Sequence, residues 1–77
     1  MKVLNYRILL KKEPEGGYTV MVPMLPGCVT YGKNIDDAIK MAKEAIELYI
    51  ETRKAHRESI PTEDEILETS VAVEAYA

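Results

Sequence analysis

Gly17-Tyr-Thr-Val-Met-Val-Pro-Met-Leu-Pro-Gly-Cys-Val-Thr-Tyr-Gly32 decides the fold of this chain, and it leads into a helix signal at Asn34. Residues 18–23 are rich in β-branched and aromatic side chains, which predicts a strand. That strand is expected to end at Pro23, because proline has no N–H to donate to a ladder. A Pro-Gly turn follows, and residues 28–31 predict another short strand. Strands joined by so short a turn are expected to pair antiparallel.

Upstream, the sequence alternates with period two, which predicts a first strand over residues 3–11. The inward face of this strand comprises Leu4, Tyr6, Ile8 and Leu10. Proline and two glycines in residues 13–17 provide the chemistry of a tight turn. The first two strands are therefore expected to form a hairpin.

Downstream, Asn34 is a favourable N-cap, and Asp37 stands three positions later, where a capping box places its acid. Apolar residues at helical spacing then predict a helix from residue 35 to about residue 56. Its inward face comprises Ile35, Ala38, Ile39, Ala42, Ala45, Ile46, Tyr49 and Arg53. Residues 67–75 alternate once more, which predicts a fourth strand.

The element order β-β-β-α-β predicts one two-layer α+β domain over residues 1–77, with a helix covering one face of a sheet. A right-handed crossover places the fourth strand parallel to the first, so the sheet is expected to be mixed. The same order forms the core of the RNase H architecture. We therefore expect a partial RNase H-like fold.

A chain of 77 residues buries only about 60% of the surface that its unfolded form exposes. A single cysteine excludes an internal disulfide, and one cysteine with one histidine are too few for a structural zinc site. Self-association remains as the stabilising device, so we expect a homo-oligomer, most simply a dimer. The net charge of −3 gives no basic patch for nucleic acid, and no apolar run is long enough to span a membrane. The lone thiol and the absence of a signal sequence predict a cytoplasmic protein.

The RNase H architecture hydrolyses RNA with carboxylates that hold two metal ions, yet the first strand contains no acid between Val3 and Lys11. Cys28 and His56 are the one pair available for thiol catalysis, and half of the helix or more is expected to separate them. A lone cysteine is more often a small buried hydrophobe. The five tyrosines are interpreted as core and interface residues rather than as a base-stacking platform. No catalytic residue, metal or cofactor is predicted.

The corner at residues 24–27 has two interpretations. It either redirects the chain, or it presents Met24 and Leu25 as anchors for the pocket of a partner. The candidate residues for binding a partner or a second copy are Tyr18, Met24, Leu25, Pro26, Gly27, Cys28 and Tyr31. Met41 and Leu48, one heptad apart on the helix, are the alternative dimer contact.

The string from Gly16 to Gly32, followed by Asp36-Asp-Ala38 and by Ala42-Lys-Glu-Ala45-Ile-Glu-Leu-Tyr, resembles the HicB family of antitoxins and its small UPF0150/HicB-type relatives. The resemblance covers roughly residues 6–50, and Ile60-Pro61 is similar to a further family feature after the helix. It implies the partial RNase H-like fold and a domain without nuclease activity.

The resemblance also implies a partner, HicA, which is a small basic ribonuclease whose catalytic histidine the antitoxin covers. Many HicB proteins carry a C-terminal DNA-binding module. This chain stops at Ala77, so we expect no such module and no direct binding to DNA. The alternative is an oligomeric HicB-like scaffold that binds another protein or a small ligand and has no toxin partner.

Overall fold

The computed structural model describes residues 3–76. Within them, three strands form one antiparallel sheet in the order β1 (Leu9–Lys12), β2 (Tyr18–Met21) and β3 (Val29–Gly32). A single helix, α1 (Ile35–Ala55), follows and packs mainly on β3 and β2. The predicted α+β class, the two antiparallel pairings and the helix are confirmed.

A tight turn and a closing hydrogen bond shape the hairpin between β2 and β3. The Cys28 N–H donates to the Leu25 carbonyl over 2.9 Å, with Pro26 and Gly27 at the central positions. Gly27 has a φ of 83°, the left-handed value that the third position of a type II turn requires. The Val22 N–H donates to the Cys28 carbonyl over 3.1 Å and closes the loop at its base. The corner is therefore a hydrogen-bonded, rigid element.

Asn34 caps α1 as its sequence predicts. Its side-chain oxygen accepts a hydrogen bond of 2.8 Å from the Asp37 N–H. The Asp37 carboxylate in turn accepts from the Lys33 N–H over 2.9 Å, one residue earlier than in a standard capping box. These bonds satisfy donors that a helix start leaves free, and they fix the angle at which the chain enters α1.

The core lies between α1 and the sheet in two clusters. Val20, Ala38 and Ala42 form the first, and Val22, Leu25 and Cys28 form the second. Gly32 is buried against α1, where an added Cβ would lie 2.7 Å from the Ala38 Cβ and closer still to the Ala38 backbone. Small residues on both elements thus allow α1 to approach β3 closely.

The first strand is shorter than its alternation predicts. β1 starts at Leu9, although residues 3–8 keep the expected alternation of partly buried and exposed side chains except at Arg7. The register pairs Leu9 with Met21, so Arg7 would fall opposite Pro23, where β2 has already ended. Residues 3–7 therefore have no ladder partner on that side.

The predicted fourth strand does not form within the described residues, and the sheet is antiparallel rather than mixed. Residues 58–76 contain no helix or strand, and from Asp64 onward every side chain is exposed. Leu67, Val71 and Val73 are 97%, 79% and 82% exposed. Alternation gives a segment one apolar face, but a strand also needs a backbone partner, and this segment has none in a single chain.

Candidate functional site

The sequence left two interpretations of the corner at residues 24–27 open, and the burial of Leu25 decides between them at that residue. Leu25 is fully buried and packs with Val22 and Cys28 in the second core cluster. Burial raises the pKa of the Cys28 thiol, which disfavours the reactive thiolate. Leu25 and Cys28 are thus core residues of this chain, and Leu25 is not the exposed anchor that its sequence position suggested. Pro26 and Gly27 are exposed, and Met24 is half-buried.

Cys28 and His56 do not come together as a catalytic pair. Cys28 packs beside Ala45 and Tyr49 of α1, whereas His56 lies seven residues beyond Tyr49, about 10 Å along the helix axis. The His56 ring Nδ1 lies 2.8 Å from the Thr52 carbonyl oxygen and faces solvent. Within residues 3–76, no three His, Cys, Asp or Glu side chains converge as a metal-ligand group. The same residues include no helix that is long and apolar enough to cross a membrane.

The face of the sheet opposite α1 carries a continuous apolar row. The register places Leu9 beside Met21 and Met21 beside Val29, so one apolar side chain from each strand lies on the same face. All three are exposed, Val29 by 58%. Tyr31 stands next along β3 on this face and is 50% exposed. We call these four residues the open-face row.

Tyr31 is held in place by the β1–β2 turn. Its hydroxyl donates to the Gly16 carbonyl over 2.9 Å, and Gly17 lies so close to the ring that a side chain there would clash with it. An aromatic side chain fixed in this way loses little entropy when a partner covers it. Tyr18 lies on the opposite face and packs against the first core cluster, so the structure separates these two predicted candidates.

A second apolar surface lies on the covered side of the sheet, beside α1. Because α1 packs on β3 and β2, a groove of about 420 Å³ remains between the helix and the start of the chain. One wall is formed by Leu4, Tyr6 and Ile8, and the other by Ile39, Ile46 and Ile50. We call this the α1 groove. Ile39, predicted as part of the inward helix face, is 52% exposed here because nothing in a single chain covers it.

The segment after the helix returns to the same region. The Tyr6 hydroxyl donates to the Pro61 carbonyl over 2.6 Å. The Arg7 backbone N–H and guanidinium both donate to the Glu63 carboxylate, and the guanidinium also binds Glu68 over 2.9 Å. The Arg7 backbone N–H, followed by its side chain, lowers the pKa of Glu63. Burial raises the pKa of Tyr6, and the nearby Glu63 and Asp64 carboxylates raise it further.

The charges of the chain are segregated. Residues 58–77, which we call the C-terminal arm, contain six acidic and no basic residues, while residues 1–57 contain ten basic and seven acidic residues. The low overall charge of −3 conceals this division, although a count by segment shows it. The open-face row, likewise, follows from the register, which the sequence alone did not provide.

The comparisons with known proteins point to one family. The family model described as "HicB_like antitoxin of bacterial toxin-antitoxin system" matches residues 6–77. The UPF0150 protein ssr1765 of Synechocystis is 46% identical over 66 residues, which cover 86% of this chain and 84% of that protein. The UPF0150 protein Ta0767 of Thermoplasma acidophilum is 44% identical over 61 residues, which cover 79% and 88%. A UPF0150 protein of Archaeoglobus fulgidus is 45% identical over 51 residues, or 66% and 74%.

Proposed function

We propose, from the fact that this chain belongs to the HicB_like antitoxin family of bacterial toxin–antitoxin systems, that it binds a toxin protein and neutralises it by covering the toxin's active site. The toxin is a small basic ribonuclease of the HicA type. The described residues supply no reactive constellation of their own, and a binding role needs none. The resemblance found in the sequence is confirmed at the level of the family; the identity of the toxin is the proposal.

The observation that supports this proposal best is the open-face row. A hydrogen-bonded sheet holds Leu9, Met21 and Val29 side by side, so a partner meets a preformed surface and loses little ordering entropy. Tyr31 adds a fixed aromatic side chain at the end of the row. Apolar and aromatic residues clustered at the centre of an interface supply most of its binding energy.

Charge supports the same partner. The chain carries a net charge of −3, and the six acidic residues of its C-terminal arm would attract a basic toxin before contact. Such steering raises the association rate more than the affinity. The apolar row is therefore expected to determine the dissociation rate, and the overall charge to determine the association rate.

The test is coexpression of this chain with the product of the adjacent reading frame, scored for growth rescue and for copurification. We expect the double substitution Met21→Asp/Val29→Asp to weaken toxin binding at least ~100-fold, because two carboxylates would be desolvated at the centre of the interface. Ser70→Asp/Ala72→Asp is the matched control, since it adds two carboxylates at exposed positions away from the sheet face.

Circular dichroism of both variants establishes that they fold. A folded Met21→Asp/Val29→Asp variant that still rescues growth would contradict the proposed surface. If a basic partner encoded beside this chain neither copurifies with it nor is neutralised by it, the antitoxin role itself is wrong. The oligomeric scaffold with another ligand would then be the better hypothesis.

A further inference from the structure

We infer that residues 67–76 of one chain lie in the α1 groove of a second copy, as an added strand beside its β1, and that two copies exchange these segments reciprocally. This inference concerns a different surface from the open-face row and does not depend on the toxin. It assigns a partner to two uncovered features of the single chain, the apolar α1 groove and the apolar tail formed by residues 67–76.

The groove has the properties of a site for a strand. β1 pairs with β2 alone, so within the described residues its other edge carries no ladder. Residues 3–8 continue that edge, and their inward side chains form one wall of the groove. An extended segment placed here would bond to an open backbone edge and bury its apolar face against α1.

The tail matches this site in pattern and in length. Leu67, Val71 and Val73 recur at even spacing and are among the most exposed apolar side chains of the molecule. Residues 67–75 number nine, as do residues 4–12, which form the open edge and its extension. Nine residues in extended form span about 30 Å, so the tail is long enough to follow that whole edge.

Charge favours the same pairing. Lys43 and Lys54 line the groove together with one acid, Glu47. Lys11 and Lys12 lie exposed on β1 beside it, so basic residues outnumber acidic ones there. The arm that carries the tail contains six acidic residues and no basic ones. A second copy therefore offers each tail a surface of opposite charge, whereas a basic partner would be repelled from that surface.

The geometry of the single chain indicates that its groove receives the tail of a second copy rather than its own tail. The bonds from Tyr6 to Pro61 and from Arg7 to Glu63 and Glu68 hold the start of the arm against residues 6–7. From there the tail extends outward with all its side chains exposed. The radius of gyration is 14.9 Å, against about 11.5 Å for a compact domain of this length. Reciprocal exchange would bury two grooves and two tails in one two-fold interface.

Disulfide formation between introduced cysteines tests which chain's tail occupies the groove. Val71 lies at the middle of the tail and Ile46 near the middle of the groove wall, so the test does not depend on the direction of the added strand. Chains bearing Val71→Cys are mixed with chains bearing Ile46→Cys, unfolded and refolded together, and oxidised mildly. Cys28 remains in both, because it is buried and its thiol pKa is raised.

We expect a disulfide-linked heterodimer from the mixture, visible by mass and by peptide mapping, and much less linkage in either chain alone. A linkage that forms within one chain when both substitutions are present, with none in the mixture, would show that each tail fills its own groove. That result, or the absence of any disulfide between the two introduced thiols, would overturn the inference.

Sedimentation gives an independent measurement. We expect the wild-type chain to sediment at twice its mass of 8.7 kDa. Val71→Asp/Val73→Asp should weaken the dimer at least ~100-fold, because it places two carboxylates in the groove. Ser70→Asp/Ala72→Asp adds the same charge to the other face of the tail and should keep the dimer. A wild-type monomer at all concentrations, or equal behaviour of the two double variants, would contradict the exchange.

The proposed toxin-binding surface and the proposed tail exchange can be contradicted independently of each other. Met21→Asp/Val29→Asp is expected to remain dimeric while losing the toxin, and Val71→Asp/Val73→Asp is expected to become monomeric while still binding it. Loss of both properties in both variants would mean that the two surfaces are one interface, which would overturn the tail exchange as stated.

Discussion

At the scale of single residues, glycines and small apolar side chains determine how closely the layers approach. Gly32 lies under Ala38 with no room for a methyl group, while Gly27 lies in open space but has a φ of 83°. The two glycines are therefore required for different reasons. Gly32 is required by the close packing against Ala38, and Gly27 is required by its backbone conformation.

Substitutions at these glycines are expected to separate the two causes. Gly32→Ala should cost about 1–3 kcal/mol through overpacking, and Gly32→Asn should cost more because its side chain is larger. Gly27→Ala should cost about 1–2 kcal/mol because alanine disfavours positive φ, whereas Gly27→Asn should cost less than Gly27→Ala because asparagine tolerates that region. Urea unfolding measures all four. An identical rank order at both positions would contradict this account.

Leu25 illustrates a residue whose role the sequence left open. Because it is fully buried in the second core cluster, Leu25→Ala should lower the free energy of unfolding by about 2–5 kcal/mol. Leu48→Ala, at an exposed position on α1, should change it by less than about 0.5 kcal/mol. Thermal or urea unfolding compares the two. A negligible effect of Leu25→Ala on stability, with a large effect on partner binding, would restore the anchor interpretation.

The Glu63 carboxylate gives a pH-dependent contribution. Its pKa is lowered in the folded chain by the Arg7 N–H and guanidinium, so the folded state binds this proton less readily than the unfolded state does. The stabilisation is therefore present above the pKa of the unfolded carboxyl, about 4.3, and is lost as the pH falls through the lower folded-state value.

We accordingly expect wild type to be more stable than Glu63→Gln at pH 6 to 7, with the difference declining once the pH falls below about 4.3 and disappearing below the lower folded-state pKa. Glu65→Gln, at an exposed neighbouring position, is the control and should change stability by less than about 0.5 kcal/mol. Thermal unfolding across this pH range measures both. A stability difference between wild type and Glu63→Gln that grows at low pH would contradict a lowered pKa of Glu63 in the folded chain.

At the scale of elements, α1 and the two turns were predictable because their signals are local. Asn34, Asp37 and the apolar spacing define α1 to within a residue at each end, and Pro26-Gly27 defines the second turn. The fourth strand and the full length of the first were not predictable in the same way. Alternation gives each segment one apolar face in the sequence, but a strand also depends on a partner distant in sequence. Here Pro23 and the open edge of β1 decide the outcome.

The residues of the candidate site also differ in whether local sequence or the tertiary structure determines their position. Tyr31, Pro26 and Gly27 are exposed, while Leu25 and Cys28 are internal because the Pro-Gly turn folds them under the sheet end. Leu9, Met21 and Val29 were missed, since only the register shows that they share a face. A period-two pattern identifies two faces of a strand; it does not tell which face the helix covers.

The cap of α1 offers a test at this scale. Asn34→Ala removes the acceptor of the Asp37 N–H and should cost about 1 kcal/mol. Lys33→Ala keeps the backbone N–H that donates to Asp37 and should be nearly neutral. Thermal unfolding of the two variants distinguishes them. Equal losses would mean that side-chain packing at the helix start, rather than the hydrogen bond, supplies the stability.

At the scale of the whole molecule, opposite charges are separated between the C-terminal arm and the rest of the chain. If two copies exchange their tails, this separation attracts them, and salt should weaken the dimer by screening the attraction. We expect the dissociation constant to rise at least severalfold between about 50 mM and about 500 mM salt, as measured by sedimentation. A dissociation constant that stays unchanged or falls would indicate an apolar interface without the proposed charge pairing.

The course of the C-terminal arm has a consequence for how long the protein survives. Backbone without secondary structure, with every side chain exposed over residues 64–76, is where proteases cut first. A chain alone presents that stretch to cleavage, whereas a chain whose tail lies in a neighbour hides it. The rate of proteolysis per chain would then fall as the concentration of the protein rises.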